Sequence, residues 1–222
     1  MTGYHGGTLK RFLLNDLILS KIGAIAGQSM LELGAGNGYF IPLMLQRFSG
    51  QVPSRIVISD QSQSMLRIAQ SKFRVAGAEY LLLDIRDSFP FADGSFDLIL
   101  ATMVFNEVLT AGLRKALSEC YRVLGTGGRL IATVTHPEFV DSLAKRGLLR
   151  ETGRSFFIMP GADGIPLPVV RRPLEAYTAL FSEYGFALVL EEVHANEKVL
   201  RAKPGLRKAG GIPLVLVYIS RK

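Results

Sequence analysis

The sequence predicts a doubly wound α/β fold: a seven-stranded sheet, mostly parallel with an antiparallel last strand, and helices on both faces. Three observations carry this expectation. Short apolar runs alternate with helical periodicity five times between residues 28 and 136, the signature of a parallel sheet with crossover helices. The first run leads straight into a glycine string, Gly34, Gly36 and Gly38. Two late apolar runs flank a polar segment, which suits a closing antiparallel hairpin.

Each element follows in order. "TLKRFLLNDLILSKIGAIAG" sets Leu9, Phe12, Leu13, Leu17, Ile18 and Ile22 on one helical face, and Gly27 stops it. "MLEL" reads as a buried strand, and "YFIPLMLQRF" as a helix that tolerates Pro42 in its first turn. "RIVISD" is a second strand ending at Asp60. The helix after it is capped by Ser62 and stopped by Gly77. "EYLLLDI" and "FDLILATMV" are the third and fourth strands, separated by a turn at Pro90, Asp93 and Gly94. A helix over 109–124, a "GTGG" turn and the strand "RLIATVT" follow.

From Pro137 to Val170 the chain carries Pro137, Pro160, Gly161, Gly164, Pro166 and Pro168, and reads as an irregular lid-like insertion with one short helix. "PLEAYTALFSEYG" resumes as a helix, and "FALVLEEV" and "IPLVLVYIS" form the final hairpin. One domain over residues 1–222 is expected, with a helical segment at 1–27 and the insertion at 137–170.

Bulk composition narrows the function classes. The 222 residues, 48% of them hydrophobic, are enough to bury a core. A single cysteine, Cys120, excludes a disulfide framework and a cysteine-rich metal site. No apolar run approaches a membrane span, and the first residues lack a signal-like core. A cytoplasmic protein without a membrane partner is expected. The net charge of +7 gathers in two segments, Lys145 to Arg154 and Lys198 to Lys208. Neither interleaves aromatic residues as a nucleic-acid stacking surface would, so nucleic acid is disfavoured as a partner. The oligomeric expectation is a monomer or a homodimer.

Three chemistries compete for the glycine string. A phosphate loop needs Gly-Lys-Ser/Thr, which is missing. A dinucleotide fingerprint needs Gly-x-Gly-x-x-Gly, but Tyr39 occupies the last slot. The third pattern, Glu32-Leu-Gly-Ala-Gly-Asn-Gly38, resembles motif I of the class I S-adenosylmethionine-dependent methyltransferases. "FPFADGSFDLILATMVFNEV" and "ALSECYRVLGTGGRLIATV" resemble the corresponding blocks of the small-molecule, type 11-like family. The resemblance covers residues 28–136 and, more weakly, 171–193, where "RRPLEAYTALFSEYGF" is similar to a late family helix. It implies a Rossmann-like fold, S-adenosyl-L-methionine as cofactor and S-adenosyl-L-homocysteine as product.

The resemblance also implies site residues. Glu32, Gly34, Ala35 and Gly36 take the methionine end. Asp60 and Gln61 take the ribose, and Asp84 and Ile85 flank the adenine. Ala101, Thr102 and Met103 lie by the sulfonium. Independently, glycine permits close backbone approach at Gly34 and Gly36, and a carboxylate at a strand tip suits ribose hydroxyls. Helix packing alone could account for Gly38.

On the acceptor side, His136 follows the fifth strand and could be a general base or a turn former. Asn106 stands where the family often has histidine; asparagine can bind an acceptor but cannot act as a base. Glu107 is the other candidate base. Arg172, with Arg171, could clamp an acidic group on the acceptor. Phe156 to Met159 form an apolar flap or a dimer contact. His5 could fold over the cofactor, and His194 lies far from the site. The expected reaction is methyl transfer to an oxygen or nitrogen of a small molecule, with an anionic acceptor included. RNA-directed transfer is the alternative. It lacks an Asn/Asp-Pro-Pro-aromatic tetrad after the fourth strand, and helical Cys120 is ill placed as a nucleophile for cytosine.

Overall fold

The computed structural model describes residues 7–153, 156–160 and 166–222. His5, Arg154, Gly161 and Gly164 lie outside them, as does the Met159 side chain. A π-helical turn, Lys10–Leu14, runs directly into helix α1, Asn15–Ile22. Strand β1 (Ser29–Leu33), α2 (Phe40–Arg47), β2 (Arg55–Asp60), α3 (Gln63–Lys72), β3 (Glu79–Leu82) and β4 (Phe96–Thr102) follow. A 3-10 turn, Phe105–Glu107, then leads to α4 (Thr110–Val123) and β5 (Leu124–Thr135).

These strands belong to a seven-stranded sheet completed by β9 (Ala187–Val193) and β10 (Val215–Arg221), in the order β3-β2-β1-β4-β5-β10-β9. β10 runs antiparallel to both its neighbours, while the β1–β2, β1–β4, β2–β3 and β4–β5 pairs are parallel. Strand order therefore reverses between β1 and β4, and their carboxyl ends open the crevice where ligands bind in such sheets.

Both faces of the sheet are buried, which explains the near-continuous apolar runs. Leu98, Leu100, Val215 and Val217 face one core, with α1 and α2. Ile99, Ala101, Leu216 and Tyr218 face the other, with α4 and α6 (Leu174–Glu183). The alternation is the period-two pleat of a strand.

Three local readings are corrected. Residues 125–128 do not precede the fifth strand as a turn but bow out within it: Phe96 pairs with Leu124, yet Leu98 pairs with Arg129. The glycines there leave no side chain for the bow to bury. The described residues of 137–170 form regular elements: α5 (Pro137–Lys145) leads to a separate antiparallel sheet of β6 (Arg150–Gly153), β7 (Phe156–Pro160) and β8 (Pro166–Val170). Its short β-branched and aromatic runs suffice for strands because Phe157 and Val169 bury against Val140 of α5. The long loop before β10 holds helix α7 (Glu197–Ala202), capped by Asn196 accepting the Val199 amide at 2.9 Å, and a 3-10 turn, Pro204–Ala209.

Candidate active site

The three glycines after β1 do different work. A Cβ on Gly34 would come within 2.6 Å of Val104 Cγ2, and one on Gly38 within 2.5 Å of Ala69 Cβ. Packing demands glycine at both. A Cβ on Gly36 would meet no atom within 4 Å; that residue, at φ +59°, faces open space. Its amide donates to Asp60 Oδ2 at 2.7 Å, while the Ser62 amide donates to Oδ1 at 2.8 Å. Asp60, only 8% exposed, is thus held with both oxygens aimed by backbone donors at the tip of β2.

Gly34, Ala35, Gly36, Asp60 and Gln61 line one cavity of about 1040 Å³. Ile85, Thr102, Met103 and Glu107 line it too. The volume lies at the upper end of the roughly 300–1,000 Å³ usual for one small-molecule site. The far wall is apolar: Phe139 and Leu143 of α5, Leu148, and Leu167 and Pro168 of β8. β8 also packs on the 3-10 turn that carries Glu107. The 137–170 segment therefore walls the same cavity that the glycine loop opens.

Met103 has φ +63°, in the left-handed region that non-glycine residues rarely enter. Its amide is held by the Thr133 carbonyl at 2.9 Å and by Thr133 Oγ1 at 3.2 Å. Such strain gathers at sites where a backbone is forced into one shape.

Charges concentrate at the loop end. Glu32 is 3% exposed, and its Oε2 has no hydrogen-bond partner among the described residues. Burial pushes its carboxyl up to about 8, with Lys10 opposing and Asp60 adding to the rise. Glu32 lies beneath the cavity wall rather than in it. Glu107, in the wall, is pushed up to about 7, first by burial, with Lys10 opposing and Asp60 reinforcing. Lys10, also in the wall, is lowered by burial, against the pull of Glu32, Glu107 and Asp60.

Several expected site residues stand apart from the cavity. Asp84 does not line it; its carboxylate accepts the Arg86 amide at 2.9 Å and the guanidinium Nε at 2.9 Å, which holds it below the usual range. Ala101 is fully buried in the sheet core. His136 caps α5: its Nδ1 accepts the Glu138 amide at 3.2 Å, and its Nε2 meets Glu192 at 3.3 Å. It is 2% exposed and turned from the cavity. Arg172 donates to the Val108 carbonyl at 2.9 Å and stacks over Tyr177, its guanidinium 4.8 Å from the ring centre. Arg171 is paired with Asp141 at 2.7 Å. Asn106 is buried with Oδ1 unpartnered and does not reach the wall. Cys120 is wholly buried in α4, where burial raises its thiol.

Sequence reasoning passed over Lys10, because a lone lysine beside an apolar helical face reads as solvated. It also passed over Lys72 and Arg86, and took Lys203 only as part of the basic run 198–208; these three complete the cations of the wall among the described residues.

The fold is similar to that of the class I S-adenosylmethionine-dependent methyltransferases. The residues fit that cofactor: an open glycine position at Gly36 and a fixed carboxylate at Asp60 line one cavity. Residues 31–132, just under half of the chain, match the family model described as a methyltransferase domain. The chain is 30% identical over 173 residues to the ubiquinone/menaquinone biosynthesis C-methyltransferase UbiE of Klebsiella pneumoniae, covering 71% of this chain and 65% of that protein. The match thus spans just under two thirds of that relative's length. Over 101 residues it is 38% identical to a malonyl-[acyl-carrier protein] O-methyltransferase of Methylococcus capsulatus, covering 46% of this chain and 35% of the other. The solved structure of an S-adenosylmethionine-dependent methyltransferase from Mesorhizobium loti superimposes with a TM-score of 0.73 at 17% identity, covering 99% of this chain and 100% of that one. No helix among the described residues is long and apolar enough to cross a membrane.

Proposed function

We propose that this protein methylates an oxygen or nitrogen of a small, largely apolar acceptor held beneath residues 137–170, with Glu107 as the base that takes the acceptor's proton. The bound cofactor supplies an activated methyl group. The protein's part is to hold, orient and deprotonate. Asp60 and the Gly34–Gly36 backbone hold the donor end. Phe139, Leu143 and Leu167 bury the body of the acceptor and exclude water.

One observation carries this reading. Glu107 lines the same cavity as both groups of residues, and burial pushes its carboxyl up to about 7. A base matched to working pH is the efficient one. That value suits an acidified hydroxyl, such as an enol or a phenol, better than an alkylammonium. Lys203 in the same wall gives an anionic acceptor a counter-charge, the part that sequence spacing had offered to Arg172. RNA-directed transfer finds less support, because the acceptor wall is apolar.

A carbon acceptor is the second reading, favoured by the name of the UbiE relatives. Glu107 would serve it by ionising a hydroxyl next to the reacting carbon. Incubation with methyl-labelled cofactor and a panel of apolar phenols and enols, with NMR of the product, tests both. Label on oxygen supports the first reading and label on ring carbon the second. Label transferred only to RNA would overturn both.

A further inference from the structure

We propose that Lys10 is the anchor for the carboxylate at the amino-acid end of the bound cofactor, and that this contact fastens the N-terminal helical segment over the cavity. The inference rests on the cofactor and not on the acceptor reading.

The wall has four cations among the described residues: Lys10, Lys72, Arg86 and Lys203. Arg86 is already committed to Asp84. Lys72 ends α3, and Lys203 follows α7. Lys10 is the cation whose field reaches Glu32, Glu107 and Asp60 together, which places it at the glycine-loop end. A cofactor carboxylate entering there would meet the acidic side chains of Asp60 and Glu107. Burying an anion against like charge is costly without a partner of opposite sign. Lys10 supplies that partner.

The carrier is built to present it. Lys10 opens the π-helical turn, an irregularity often found at functional sites. Gly7, Thr8, Leu9 and Leu14 of the same segment also line the cavity. The turn's far side is fixed: Leu13 and Leu14 are buried, and the Asn196 side chain donates to the Phe12 carbonyl at 2.8 Å. A charge held on a fixed turn across the opening can join the two walls once the cofactor bridges them.

Calorimetric titration of the full chain with S-adenosylhomocysteine and with 5′-methylthioadenosine, which lacks the amino-acid end, separates the cases. Lys10→Met keeps the aliphatic stem. It should weaken S-adenosylhomocysteine by about 10- to 100-fold and leave methylthioadenosine within about twofold. Lys10→Arg should restore most of the loss. Hydrogen exchange at residues 8–14 should slow on S-adenosylhomocysteine binding in the wild type and not in Lys10→Met. Unchanged or tighter S-adenosylhomocysteine binding by Lys10→Met would overturn the proposal. So would an equal loss for both ligands. A wild type that binds neither ligand would overturn it together with the cofactor.

Discussion

The Asp60 carboxylate accepts the Gly36 amide at 2.7 Å, and this bond ties the tip of β2 to the loop after β1. Two crossovers are thereby locked at the sheet's switch point. The carboxylate keeps lone pairs free for hydroxyl donors, since each oxygen takes one backbone bond.

Asp60→Ala removes both the loop bond and the hydroxyl acceptor. Hydrogen bonds to a charged group contribute about 1.5–3 kcal/mol each, so affinity for S-adenosylhomocysteine should fall by at least about 100-fold. Wild type at saturating ligand should melt several degrees higher than alone. The variant's melting temperature should not move with ligand, as scanning fluorimetry will read.

Glu107→Gln keeps the shape of the wall and deletes the base. Turnover should drop by about 10²- to 10⁴-fold, with S-adenosylhomocysteine affinity little changed. In the wild type, rate should climb with pH through about 7 as the carboxyl ionises. A pH profile with the same climb in Glu107→Gln would remove Glu107 from the mechanism.

Glu32 makes stability depend on pH. Its folded-state value of about 8 lies above the ordinary carboxylate range. The folded state therefore holds a proton that the unfolded chain releases. Stability is highest in acid, below the ordinary carboxylate value, and is lost as pH rises towards about 8. The loss should be on the order of 3–5 kcal/mol. Glu32→Gln should reduce that slope in urea denaturation of the ligand-free protein at pH 5.5 to 8.5, with Glu107 supplying the part that remains.

Leu167 lies in the acceptor wall and is 38% exposed, so the fold does not depend on it. Leu167→Ser should raise the acceptor KM by about tenfold, the loss of part of a leucine's burial. kcat and S-adenosylhomocysteine affinity should hold.

The "FPFADGSFD" and "RVLGTGG" blocks were readable as belonging together, and Glu119 and Arg122 explain the pairing. Glu119 accepts the Phe89 amide at 2.6 Å, and Arg122 donates to the Phe89 and Phe91 carbonyls at 2.9 and 2.7 Å. The two side chains meet at 2.7 Å. These residues staple a turn to α4 and touch no part of the cavity. Arg122→Met should lower stability by about 2 kcal/mol and leave ligand affinity alone, a split that calorimetry can measure.

The sheet was legible because strand and helix periods alternate and because glycine and aspartate mark strand tips. His136 and Arg172 misled because a residue's distance from a strand end does not give its side-chain direction. His136 turned to cap α5, and Arg172 lay down on Tyr177. Lys10 was hidden for a related reason. Its neighbours advertise an apolar face, and the lysine that lines the cavity opens a π-helical turn, which the sequence pattern does not mark. The strands of 150–170 escaped because their pairing lies among themselves and not with the main sheet.

Val140, Phe157 and Val169 make a small core that belongs neither to one face of the main sheet nor to the other. This segment thus has a small hydrophobic core of its own. Substitutions there can drift without straining the donor half, and the donor half can stay constant while the lid is rebuilt. The proposed acceptor role of this segment has a direct test: exchange of residues 137–170 should change acceptor specificity and leave S-adenosylhomocysteine affinity as it was.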